Sequence, residues 1–151
     1  MLARRTFLAA TLAMPAAGLL TRPAFAAKPP VFAEGGIAMN GYDPVAYFTE
    51  GAPVKGDLAI AADWQGARLL FASEENRAMY EADPEGFAPR YGGYCAYAVS
   101  KGATAPTDPE AWTVHENRLY MNFSKDVREI WKRDIPGNIA KADANWPGVL
   151  G

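Results

Sequence analysis

The segment Leu58-Ala59-Ile60-Ala61-Ala62-Asp63-Trp64-Gln65-Gly66-Ala67-Arg68-Leu69-Leu70-Phe71-Ala72-Ser73-Glu74-Glu75-Asn76-Arg77 decides the fold class. Two apolar-rich runs, Leu58 to Trp64 and Ala67 to Ala72, flank Gln65-Gly66, which reads as a hairpin turn. Ser73 follows as an N-cap, with Glu74 and Glu75 suited to the positive end of a helix. That helix is expected to run to about Ala82 and to stop before Pro84. A hairpin leading directly into a short helix points to a small α+β domain.

Outward from this unit the pattern repeats. Upstream, Ile37 to Asn40 reads as a short strand, Asp43-Pro44 as a turn and Glu50 to Gly56 as loop. Pro84 to Ala88 allows a second short helical piece, limited by Pro89. Ala103 to Pro109 is turn-rich, and Trp112 to Val114 with Leu119 to Asn122 forms a second hairpin around His115-Glu116-Asn117-Arg118. Ser124 caps a helix whose Val127, Ile130 and Trp131 form a core-facing stripe. Pro136 starts a last segment, packed down by Ile139, Ala140 and Trp146.

Residues 1–26 read as a cleavable leader. Arg4 and Arg5 supply its positive start, Thr6 to Leu20 is apolar or small, and Ala24-Phe25-Ala26 offers a peptidase site before Ala27. The apolar run is too short for a stable bilayer span of about 20 residues. Arg4-Arg5-Thr6-Phe7-Leu8 resembles a twin-arginine export signal, which implies a bacterial, periplasmic destination for residues 27–151. The leader holds three arginines and no acid, so residues 27–151 carry 12 Lys and Arg against 17 Asp and Glu, a net charge of −5. A mildly acidic single domain gives no electrostatic footprint for nucleic acid, and none for a membrane once the leader is cut.

The chain has one cysteine, Cys95, within Tyr91-Gly92-Gly93-Tyr94-Cys95-Ala96-Tyr97-Ala98. In an oxidising compartment a lone cysteine is a buried filler, an intermolecular partner or a working thiol. Gly92 and Gly93 let backbone approach closely, and a helix beginning near Tyr94 would offer N–H groups to a thiolate. Tyr94 and Tyr97, with Tyr91, recur at a spacing of three that suits one helix face. His115 is the one histidine. In a hairpin turn it reads as a solvated residue, unless the hairpin folds toward Cys95 to make a Cys–His pair. Met39, Met79 and Met121 read as core. Four-cysteine zinc is excluded by counting, and no nucleophile elbow supports a serine hydrolase.

Gly41-Tyr42-Asp43-Pro44-Val45, the junction Phe71 to Asn76 and Asp83-Pro84-Glu85 resemble the YHS domain family, which is related to treble-clef-like metal-binding modules. The family pattern places cysteines where this chain has Ala46, Ala72 and Asn76. Gly41 to Phe48, Tyr91 to Gly102, Asp108 to Trp112 and Ile135 to Trp146 are more closely similar to the exported YHS domain-containing (seleno)proteins. There, selenocysteine stands at the position of Cys95 in some members. The resemblance implies redox or soft-metal chemistry at Cys95. Thiolate, imidazole and thioether suit copper(I), which makes copper the expected metal, with His115 as second ligand if its hairpin folds toward Cys95. Gly92, Gly93, Tyr94 and Tyr97 would shape that site. The rival expectations are a thiol peroxidase or reductase, which needs an external protein or small-molecule thiol to resolve it, and a non-catalytic interaction module that has lost the metal site.

Overall fold

The computed structural model describes residues 27–151 and, of the preceding segment, Gly18 alone. The expected leader and export signal at residues 1–26, Gly18 apart, lie outside the described residues. The order of elements is β1 (Ala33–Glu34), β2 (Ile37–Ala38), α1 (Ala46–Thr49), β3 (Asp57–Trp64), β4 (Ala67–Phe71), α2 (Glu74–Ala82), α3 (Pro84–Phe87), α4 (Ala96–Ser100), β5 (Trp112–His115), β6 (Arg118–Met121), α5 (Lys125–Lys132) and α6 (Ile135–Asn145). Short 3-10 turns occupy Met39–Gly41, Arg90–Gly93 and Gly148–Leu150. The α+β class expected from the sequence is what is found.

Four strands form a sheet in the order β1-β2-β4-β3, and β5 with β6 forms a separate two-stranded ribbon. The β3–β4 hairpin turns at Gln65-Gly66, both with positive φ, of 49° and 88°. Those angles match the primed turn that a right-twisted hairpin needs. The helix starts follow side-chain chemistry. Ser73 accepts from the Asn76 N–H at 3.1 Å, Asp83 from Gly86 at 3.1 Å, Ser124 from Val127 at 3.1 Å and Asp134 from Gly137 at 3.0 Å. Each satisfies an otherwise orphaned helical N–H.

Two apolar clusters make the interior. The first joins Val45, Tyr47, Leu69, Phe71 and Tyr80 to Leu119 and Met121. The second joins Tyr91, Tyr94, Val99, Trp131 and Ala142 to Tyr120. Strand β6 divides them, because alternate side chains point to opposite faces of a strand. Leu119 and Met121 enter one cluster, and Tyr120 enters the other.

Several sequence expectations are corrected. The strand at Ile37 ends at Ala38, and Met39–Gly41 turns instead, with Met39 and Asn40 at φ of 54° and 53°. Helix α1 follows the Asp43-Pro44 turn where no helix was expected. Met39 and Met121 are core, but Met79 is 40% exposed. In the α5 stripe only Trp131 is buried, Val127 is half-buried and Ile130 faces solvent. Ala140 is exposed, whereas Ile139 and Trp146 pack against the second cluster.

Candidate functional site

Cys95 lies at the start of α4, with φ −59° and ψ 117°, and its side chain is enclosed at 1% exposure. Its backbone is pinned on both sides: its N–H donates to Ala105 O at 3.0 Å, and its carbonyl accepts from Val99 N–H at 3.0 Å. The sulfur meets the corner that follows β6. The Phe123 N–H donates to Sγ at 3.3 Å, and the thiol faces Asn122 Oδ1 at 3.5 Å. Asn122 Oδ1 also accepts from the Tyr97 N–H at 3.1 Å.

Asn122 is the residue that sequence reasoning missed. Counted as an ordinary strand end, it is in fact wholly buried. Its N–H donates to Ala111 O at 2.9 Å and its carbonyl accepts from Asp108 N–H at 3.0 Å, so the amide is fixed where it stands. Its Nδ2 is buried and without a hydrogen-bond partner among the described residues. The signal was present in the alternation of β6. Leu119 and Met121 share one face, so Tyr120 and Asn122 share the other, toward the cluster that holds α4.

Two influences on the thiol oppose each other. Burial pushes its pKa up, since a thiolate away from water loses solvation, while the backbone N–H groups of Ala98, Phe123 and Tyr97 pull it down. Burial is the stronger, and the thiol stays protonated above its ordinary 9.0. No cation contributes. Lys101 instead places its ammonium 5.2 Å from the centre of the Tyr97 ring.

His115 does not join Cys95. It pairs with Arg118 at the turn end of the β5–β6 ribbon. At about 3.4 Å per residue, the four steps from Arg118, opposite His115, to Asn122, against Cys95, span roughly 14 Å of main chain. Its Nε2 lies 3.9 Å from Glu116 instead. No group of three or more His, Cys, Asp and Glu side chains among the described residues is placed to hold a metal ion. One enclosed sulfur with amide neighbours does not fit a resident copper ion.

Among the glycines and tyrosines around Cys95, Gly92 and Tyr94 hold the segment that precedes β1. Tyr91, Gly92 and Gly93 have φ of 57°, 61° and 78°, a left-handed turn that prevents one helix from carrying all three tyrosines. The Tyr91 hydroxyl donates to Asp143 at 2.9 Å and that of Tyr94 to Pro29 O at 2.8 Å. Gly92 O accepts from Phe32 N–H at 2.8 Å, and a Cβ on Gly92 would collide with Pro30 O. The turn thus clasps the extended segment that enters at Ala27.

A second polar centre surrounds Asp43, which is completely buried. Its Oδ1 accepts from the N–H groups of Val45 at 2.8 Å and Ala46 at 3.3 Å. Its Oδ2 accepts from Ala72 N–H at 2.8 Å and from the Asn76 amide at 2.7 Å. Four donors saturate the four lone-pair directions of a carboxylate. Three of the four come from Ala46, Ala72 and Asn76, the positions at which the resemblance puts cysteines.

No protein-family model, no curated protein and no solved structure matches this chain.

Proposed function

We propose that residues 27–151 form an exported, periplasmic YHS-like domain that works by binding and not by turnover. A buried carboxylate takes the structural role of the family's metal ion, and Cys95 is a closed thiol. The observation that carries this reading is the convergence of Ala46, Ala72 and Asn76 on the Asp43 carboxylate. Positions far apart in sequence meet as a ligand set would, yet they present two backbone N–H groups and an amide in place of thiolates. Donors of this kind hold an anion and repel a cation.

The test is elemental analysis of protein taken from the periplasm of its host, with melting measured before and after chelation. The reading predicts no stoichiometric zinc or copper and a melting temperature that chelator leaves unchanged. A tightly held ion whose removal lowers the midpoint by more than about 5 °C, the shift that roughly 1–2 kcal/mol produces in a domain of this size, would overturn it.

A second reading, a redox thiol, is favoured by one specific feature. The Phe123 N–H donates to the sulfur at 3.3 Å, and with the backbone N–H groups of Ala98 and Tyr97 it favours the thiolate against the stronger effect of burial. A selenol at this position would ionise more easily in the same cradle. With no second cysteine in the chain, turnover would need an external protein or small-molecule thiol. Peroxide consumption in the presence of added thiol, lost in Cys95→Ser, would favour this reading over the first.

A further inference from the structure

A cavity of about 500 Å³ opens on the face formed by the β3–β4 turn, α3, the Arg90–Gly93 turn and α6. It falls within the range of about 300–1,000 Å³ typical of small-molecule sites. Neither Cys95 nor the Asp43 centre lines it. Its walls include the rings of Trp64, Tyr91 and Trp146, with Tyr91 and Trp146 meeting edge to face at 6.0 Å between centroids. Trp64 and Tyr91 are buried at 9% and 5% exposure, so the aromatic lining is anchored in the core.

Charged groups stand around these rings, with Asp143 and Glu85 exposed at the cavity rim. Arg90 lines the cavity half-buried and forms no ion pair among the described residues. Asp143 accepts the Tyr91 hydroxyl through Oδ1, which leaves Oδ2 free. Glu85 adds a second carboxylate on the α3 side. Tyr91 itself sits at φ 57°, a left-handed conformation that a non-glycine residue adopts only with strain. Strain of this kind is retained where the surrounding structure holds it, and such sites cluster at ligand contacts.

We infer that this cavity binds a small zwitterion of the amino-acid or betaine class. Arg90 would take the ligand carboxylate with its planar pair of N–H donors, and Asp143 with Glu85 and the tryptophan faces would take the ammonium. A neutral sugar could stack on the same rings and hydrogen-bond to these groups, but it offers no charge to match the guanidinium and the two carboxylates. A simple cation would leave Arg90 unpaired. The inference supplies a ligand class to the binding-module reading, but it stands on a different face of the molecule.

The test is a tryptophan-fluorescence titration of residues 27–151 with the twenty amino acids, glycine betaine, choline, acetate and glucose. Saturable change with at least one zwitterion is expected, with choline and acetate at least tenfold weaker. Asp143→Asn keeps the acceptor for Tyr91 and removes the charge, and it should weaken binding at least tenfold, as should Arg90→Gln. Circular dichroism melting of both variants checks that they fold. Cys95→Ser should bind as the parent does, whether or not Cys95 proves reactive, so the cavity and the thiol are judged separately. No saturable response to any zwitterion, preference for glucose or choline, or unchanged affinity in a folded Asp143→Asn would overturn the inference.

Discussion

Asn76 and Asp43 are 33 residues apart, and the Asn76 amide donates to Asp43 Oδ2 at 2.7 Å. This contact ties the first turn of α2 to the turn that launches α1, and Ala72 N–H closes the same link from the end of β4. One carboxylate thereby fixes the relative positions of a strand and two helices. A buried charge can do this because all of its lone pairs are occupied.

Asp43→Asn removes the charge and sets an NH2 group against donors that expect an acceptor. A buried donor left unsatisfied costs about 1–3 kcal/mol, and loss of charge-assisted bonds adds to it. The variant should therefore lose about 3 kcal/mol or more in urea unfolding. A loss below about 1 kcal/mol, the scale of a surface change, would show that the carboxylate is not the hub described.

Gly92→Ala tests the clasp on the entering segment. A methyl group there meets Pro30 O, and Gly92 has φ 61°, which alanine adopts only with strain. The expected loss is about 2–4 kcal/mol, with hydrogen exchange at Phe32 N–H rising before that of the sheet. Unchanged protection of Phe32, whose N–H bonds to Gly92 O, would contradict the packing.

How far the fold was readable depended on whether a local signal had a local cause. The β3–β4 hairpin and the N-caps of α2 and α5 were legible, because turn and cap chemistry act within four residues. Helix α1 was hidden by Asp43-Pro44, which reads as a turn, since the same Asp43 Oδ1 that makes the turn also caps the helix through Val45 and Ala46. The tyrosine spacing misled because three consecutive left-handed residues break the helix it suggested. The candidate site was legible only in part. Cys95 stood out by being single, but its partners Asn122 and Phe123 come from a corner 27 and 28 residues away. The separation of His115 follows from the length of β6 and the choice of which end meets α4, which is tertiary information.

Stability should fall at alkaline pH. Burial pushes the Cys95 thiol above its ordinary 9.0. It also pushes the phenols of Tyr47 and Tyr91 well above 10.0, Tyr91 with a further rise from its bond to Asp143. Each group keeps its proton longer in the folded chain than in the unfolded one. Between the two pKa values the unfolded state binds fewer protons, so this stability is complete below about pH 8.5 and is lost as pH rises through the folded values. Urea midpoints should hold from pH 7 to 8 and decline through pH 9 to 11, with Tyr91→Phe flattening the decline. A midpoint that rises with pH over that range would contradict the burial of these groups.

The account rests most directly on Cys95 being closed, and its alkylation rate tests that. Iodoacetamide at pH 7 meets a thiol that is 1% exposed and whose ionisation burial opposes. The predicted native rate is at least 100-fold below that of the same protein in denaturing urea, because the thiol is reached only through opened states that lie kilocalories above the native one. Alkylation of the native protein as fast as the unfolded chain, or faster, would contradict the closed thiol and return Cys95 to the role of a reactive centre.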